Sequence, residues 1–278
     1  MMNEIKLIAL DLDGTLLDSQ KRLSYKNEYA LRACVQKGIS IVPCTGRIWN
    51  GVPEVLRNMP GVRYFITVNG AVIFDQETRQ VLHERKLALP LALDIIHMAK
   101  QFETMYDLYI DGCGLAEERF MNQLERYGVE PTVQSMIRET RDIVPDIMDV
   151  VTKRGRPVEK INYFFGDMEE RKRAREALLA RNDVVVSSSL YNNLEINALG
   201  ATKGEGILRL AGLLGLDPEE TMGIGDGEND ITMMQKAGIG VAMGNAEESV
   251  KQAADYITLT NDEDGVANAI EHLVLTLH

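Results

Sequence analysis

Asp11-Leu12-Asp13-Gly14-Thr15-Leu16 follows directly on the apolar run Ile5-Lys6-Leu7-Ile8-Ala9-Leu10. Residues i and i+2 of a strand point to the same side, so a strand ending here brings two carboxylates toward one small site. Gly14 lets the backbone turn sharply, and Thr15 adds a hydroxyl and an N–H. Like charges held this close are costly unless a cation is shared or one group keeps its proton. The pair therefore points to a bound Mg²⁺, or to a nucleophile beside an acid. A calcium-binding EF-hand loop begins with the same Asp-x-Asp-Gly, but its fifth position would be Thr15 and its twelfth Arg22, so the closing carboxylate is absent. The remaining alternative is a plain strand-to-turn end, in which Asp and Gly serve as turn formers.

The chain has 278 residues, 45% of them hydrophobic and 26% charged, which is enough for a sizeable core and two domains. The formal net charge of -12 argues against nucleic-acid or anionic-membrane partners, which need a basic face. An anionic substrate would need local positive charge from a metal or a few placed cations. Cys34, Cys44 and Cys113 show no CxxC spacing, which fits a reducing cytoplasm rather than a disulfide scaffold. Only two residues separate Cys44 from Arg47, too few for a phosphate-wrapping loop around a thiol nucleophile, so Cys44 reads as a small buried residue. Met1-Met2-Asn3-Glu4-Ile5-Lys6 lacks the basic and apolar regions of a signal peptide, and no apolar run approaches the roughly 20 residues that span a bilayer. A soluble cytoplasmic protein is expected. No oligomeric state can be read from the sequence.

Short apolar runs alternate with amphipathic stretches, the pattern of a parallel α/β sheet. Strands are expected at 5–10, 39–44, 64–68, 221–224, 240–243 and 256–259. Helices are expected at 25–37, 51–59, 203–214, 230–236, 247–253 and 264–275. In the middle of the chain, 90–102, 116–127 and 169–181 read as helices and 160–165, 184–188 and 194–197 as strands. This region forms an α+β layer inserted with joins near 85–86 and 197–200. The run Ser187-Ser188-Ser189 marks a turn between two of its strands.

Three more segments carry chemistry. Cys44-Thr45-Gly46-Arg47 follows a strand, where a hydroxyl and exposed N–H groups suit a phosphate oxygen. Ala201-Thr202-Lys203-Gly204-Glu205 opens a helix with a lysine that the helix macrodipole opposes. An anion at the helix N-terminus would explain it, as would a solvated surface lysine. Gly223-Ile224-Gly225-Asp226-Gly227-Glu228-Asn229-Asp230 resembles a dinucleotide fingerprint, but its acidic residues would repel a pyrophosphate. A hard cation on carboxylate oxygens fits better, with Asp226 as a ligand, Asn229 donating to a phosphate oxygen and Asp230 orienting its neighbours.

In this order, with a large insertion before the lysine, the four segments resemble the haloacid dehalogenase superfamily of phosphotransferases. The likeness is to its Cof-type branch with the type IIB cap, and it extends to Val68-Asn69-Gly70-Ala71, Leu194-Glu195-Ile196-Asn197, Ala242-Met243-Gly244-Asn245-Ala246 and Asn261-Asp262-Glu263-Asp264-Gly265-Val266. The resemblance implies a Rossmann-like parallel-sheet α/β core over 1–85 and 198–278, and an inserted α+β cap over 86–197 that sets substrate specificity. It implies a Mg²⁺-dependent phosphatase of small phosphorylated metabolites, working through an aspartyl phosphate. Asp11 is then the nucleophile and Asp13 the general acid and base. Thr45, Gly46, Arg47, Lys203 and Asn229 hold the phosphate, Arg47 having the alternative of pairing with a cap carboxylate. Asp11, Asp226 and the carbonyl of Asp13 hold Mg²⁺, with Thr15 and Asp230 in support. The alternatives are a phosphohexomutase-like phosphoryl transferase and a non-catalytic binder of phosphometabolites.

Overall fold

Leu7–Leu10, the apolar segment just before Asp11, is a fully buried strand with neighbours on both sides, as expected of a parallel sheet covered on two faces. The computed structural model describes residues 4–275. In chain order the strands are β1 Leu7–Leu10, β2 Ser40–Pro43, β3 Tyr64–Thr67, β4 Val72–Asp75, β5 Gln80–Glu84, β6 Met105–Ile110 and β7 Cys113–Glu117. They continue as β8 Arg141–Val144, β9 Lys160–Phe164, β10 Val184–Ser187, β11 Asn193–Ala198, β12 Thr221–Gly225, β13 Ile239–Ala242 and β14 Tyr256–Ile257. The described residues divide into two compact units, one of 4–46, 52–84 and 202–275, the other of 47–51 and 85–201.

In the first unit a parallel sheet runs β14-β13-β12-β1-β2. The chain leaves β1 toward β2 on one side and returns to β12 on the other, so the strand order reverses at β1. Ligands of open α/β sheets bind beyond the strand ends at such a reversal. Asp11 and Asp226 are the residues that immediately follow β1 and β12. An antiparallel sheet, β3-β4-β5, adjoins β2 through a Cys44–Ile66 bridge. The core joins Leu7, Ala9, Val42, Ile66, Ile73, Ile207, Leu210 and Met233. Each fully buried Leu or Ile contributes about 1.5–3 kcal/mol.

The second unit is a six-stranded sheet, β10-β11-β9-β6-β7-β8, antiparallel except for β7 with β8. Helices Leu89–Ala99 and Met168–Leu179 pack on it. The molecule is thus an α/β parallel-sheet core with a separate, largely antiparallel α+β unit inserted in it.

Several expectations need correction. Residues 116–127 are not one helix: β7 runs to Glu117 and is followed by the short turns Glu118–Met121 and Leu124–Tyr127. Strand pairing overrides helix-friendly composition there. The β6–β7 hairpin is an addition to the expected elements, although Asp111-Gly112 is its signature. Both residues have positive φ, +55° and +72°, as a two-residue type I′ turn requires. The helix expected over 51–59 shrinks to Glu54–Arg57 behind Pro53, which disfavours a helical residue before it. The last helix changes at Glu271 from α (Gly265–Ile270) to π (Glu271–Leu275). β4, β5, β8 and the helices Pro131–Thr140 and Ile147–Arg154 are further elements that the apolar pattern does not announce.

Helix Lys203–Leu214 starts from Thr202, whose hydroxyl accepts the N–H of Glu205 at 3.1 Å. Its first turn lies against Gly70, which has φ +94°; a Cβ there would come 2.1 Å from Thr202 O. Gly70→Ala is therefore expected to cost about 2–4 kcal/mol, from the left-handed backbone and the backbone clash together. Gly212 lies inside the same helix, and a Cβ there would meet nothing within 4 Å. Gly212→Ala is expected to gain about 0.5–1 kcal/mol. Urea unfolding of the two variants checks both signs.

Candidate active site

Lys203 is the first residue of its helix and its side chain is fully buried. Nζ lies 2.6 Å from Asp11 Oδ1 and 2.6 Å from Asp230 Oδ1, so the anions that offset the helix dipole belong to the protein itself. Asp230 engages both its oxygens, the other one accepting the N–H groups of Asp226 at 3.0 Å and Gly227 at 2.9 Å. These bonds fix the turn after β12. Gly225 leaves room for them, since a Cβ there would meet the Asp230 carboxyl carbon at 2.3 Å.

Asp226 Oδ1 accepts the hydroxyl of Thr15 at 2.6 Å. Its Oδ2 faces Gly14, where a Cβ would lie 2.3 Å away and where φ is +79°. Only glycine satisfies both demands. Ligand oxygens of Asp11, Asp226 and Asp230 lie within 4.8 Å of one another. Three carboxylates meet one ammonium, which leaves the cluster at −2 when all are charged.

The electrostatics follow from that imbalance. Burial pushes the Asp11 carboxyl well above the usual range; Lys203 opposes the shift, while Asp230, Asp226 and Asp13 add to it. Burial and then Asp230 push Asp226 up to about 7, against the Thr15 hydrogen bond. For Lys203 burial works against the charge, but Asp11 and Asp230 outweigh it, and the ammonium is held well above its ordinary value. A cluster of hard oxygen donors with surplus negative charge in a buried setting fits a divalent cation. Asp11 and Asp226 are the carboxylates available to it.

The other sequence candidates divide. Thr15, Lys203, Asp226 and Asp230 join Asp11. The carboxylate of Asp13 does not: it is half-exposed and pairs with Lys21 Nζ at 2.7 Å. It remains near enough to raise both Asp11 and Asp226. Thr45 is buried just past the end of β2, its N–H donated to Ile66 O at 2.9 Å. That amide is therefore engaged within the fold. Gly46 closes this segment of the first unit, whereas Arg47 belongs to the second, with Nη1 donating to Gly51 O at 2.7 Å. Asn229 is buried and donates through Nδ2 to Asn69 Oδ1 at 3.2 Å.

Asn69 is a site residue that chemical reasoning from the sequence missed. Its N–H is donated to Thr45 O at 3.0 Å and its side chain receives Asn229, so it ties the β2 end to the β12 turn. Its φ of +58° suits Asn, and the Asn69-Gly70 pair was the available signal. Cys44 is fully buried, which pushes its thiol up and makes it a poor nucleophile.

Comparison with known proteins supplies the family. Residues 8–270 match the haloacid dehalogenase-like hydrolase family. The 5-amino-6-(5-phospho-D-ribitylamino)uracil phosphatase YcsE of Bacillus subtilis (strain 168) is 36% identical over 98% of this chain and 97% of its own. A haloacid dehalogenase-like hydrolase from B. subtilis superimposes with a TM-score of 0.86 at 31% identity, covering 97% of this chain and 100% of that one. A subclass IIB sugar phosphatase of the same superfamily superimposes with a TM-score of 0.80 at 27% identity, covering 96% and 98%. The chain therefore belongs to the haloacid dehalogenase-like hydrolases, and within them to the phosphatases of the IIB type, enzymes that hydrolyse phosphate monoesters.

Proposed function

We propose that the protein is a Mg²⁺-dependent phosphatase of small phosphorylated metabolites, sugar phosphates or phosphorylated cofactors, that works through a phosphorylated Asp11. The observation that carries this reading is the buried lysine bridging Asp11 and Asp230 beside Asp226, at the reversal of strand order. The phospho-ribityl substrate of the relative YcsE and the sugar phosphatase among the similar structures support the substrate class.

In the first step an oxygen of Asp11 attacks phosphorus as the bond to the leaving alkoxide breaks, and Asp13 gives that alkoxide its proton. In the second, Asp13 as carboxylate takes a proton from water, water oxygen attacks phosphorus, and the Asp11–phosphorus bond breaks. Asp11, Asp226 and the Asp13 carbonyl would hold Mg²⁺, which supplies charge neutralisation between a carboxylate nucleophile and an anionic target. Lys203, Thr45, Gly46 and Asn229 bind phosphoryl oxygens, and Arg47 adds a further cation. Lys203 thereby trades part of its hold on Asp11 for the incoming phosphate. Residues 86–197 act as a cap that selects the substrate. The free cysteines support a reducing, cytoplasmic setting.

Asp11→Asn is expected to lower turnover on the order of 10⁴-fold or more; appreciable residual hydrolysis contradicts the nucleophile. Asp13→Asn should lower kcat/KM, which reads the first step, by about 10²–10⁴-fold for alkyl phosphates and by less for p-nitrophenyl phosphate, because the aryl leaving group needs little proton. Equal losses on both contradict the acid role.

Cation dependence has a signed pH test. An unfolded Asp titrates near 3.9, and Asp226 titrates at about 7 in the fold. Between about pH 4 and 7 the folded state therefore binds more protons, and the cation-free protein loses stability as pH rises through that window. Mg²⁺ relieves the repulsion only where the carboxylates are ionised. Melts should show a larger Mg²⁺-induced rise in Tm at pH 8 than at pH 5, with EDTA abolishing activity; an equal or larger rise at pH 5 contradicts the assignment.

A further inference from the structure

Two of the segments that carry the family likeness, around Asn245 and Asn261, have no part in the chemistry above. Both lie against the loop that carries Asp13, Gly14 and Thr15. Asn245 Nδ2 donates to Gly14 O at 2.8 Å, and Asn245 Oδ1 accepts the N–H of Asn261 at 2.9 Å. Asn261 Nδ2 in turn donates to Leu17 O at 3.0 Å, and Asp262 Oδ1 accepts the N–H of Ser19 at 2.8 Å. The three bonds to the loop join residues 231 to 244 positions apart in the chain.

The clasp is built rather than incidental. Gly244 donates its N–H to Leu259 O at 2.9 Å, and a Cβ on it would stand 2.9 Å from Thr260 N, so glycine lets the two turns meet. The second turn is itself fixed by Thr260 Oγ1 donating to Glu263 Oε2 at 2.8 Å. Gly14, the residue the clasp grips, is also the one that abuts Asp226 Oδ2. Its peptide thus sits between the exposed Asn245 and the half-buried Asp226 carboxylate.

We propose that Asn245 is a positioning residue: by holding Gly14 O it fixes the backbone between Asp13 and Thr15, and so the placement of the acid and of the hydroxyl that orients Asp226. This inference rests on the reading of Asp11 and Asp13 as the reacting pair. Asn245 is exposed, so truncating it opens no cavity and removes little beyond its hydrogen bonds. Misplacement of reacting groups by about 1 Å costs on the order of 10²-fold in rate.

The test compares wild type, Asn245→Ala and Asn245→Asp on p-nitrophenyl phosphate with Mg²⁺, together with amide hydrogen exchange and thermal melts. Ala is expected to lower kcat about tenfold, leave KM within about twofold, and speed exchange in residues 14–19, with Tm within about 3 °C of wild type. Asp keeps the acceptor for Asn261 but cannot donate to Gly14 O, and is expected to follow Ala. Wild-type kcat in either variant, or a loss that only tracks the folded fraction, overturns the proposal. Failure of the wild type to cleave any phosphate ester would instead sink the phosphatase reading, and unchanged exchange in residues 14–19 would then overturn the positioning role by itself.

Discussion

The contact on which the site depends is the buried ammonium of Lys203 between Asp11 and Asp230. It joins the residue that follows β1 to the turn that follows β12, across the reversal of strand order. Removing one partner of a buried pair costs on the order of 3–5 kcal/mol, because a charge is left without compensation. Here compensation is already incomplete, since Asp226 adds a third carboxylate. The fold therefore holds Asp11 in a state that a bound cation would relieve. Strain of this kind is expected of catalytic carboxylates.

The glycines follow from the same demand for close approach. Gly14 lets Asp226 come against the loop that follows Asp11, Gly225 admits the Asp230 carboxyl, and Gly70 admits the start of the lysine helix. A methyl group would collide with a carboxylate at the first two and with the Thr202 backbone at Gly70. Stability and chemistry are thus coupled through backbone packing rather than through the hydrophobic core alone.

Much of the first unit was legible because parallel strands buried on both faces read as apolar runs, and ligand groups follow their carboxyl ends. That places Asp11 and Asp226 in one neighbourhood, whereas Lys203 opens a helix and was joined to them only by the family resemblance. The second unit was less legible. Its strands carry polar residues at buried positions, such as Asp107, Lys160 and Glu195, whose pairing is long-range. The Ser187-Ser188-Ser189 run announced the β10–β11 hairpin, whereas the Asp111-Gly112 signature of β6–β7 went unread. Within the site, strand alternation puts Asp13 beside Asp11, yet the chain has already turned at that point and the Asp13 carboxylate reaches Lys21. Asn69 meets the Thr45 carbonyl and the Asn229 side chain, and Asn245 the Gly14 carbonyl, contacts that residue type and spacing do not reveal.

Mapping the covalent phosphate tests the role of Asp11 most directly. Wild-type protein reacted with a phosphate monoester and Mg²⁺, quenched rapidly and reduced with borohydride, would convert an aspartyl phosphate to homoserine at the position that carried it. Homoserine at residue 11 alone, dependent on substrate, is the expected result. Turnover without that conversion, or conversion at Asp13, Asp226 or Asp230 instead, would contradict it.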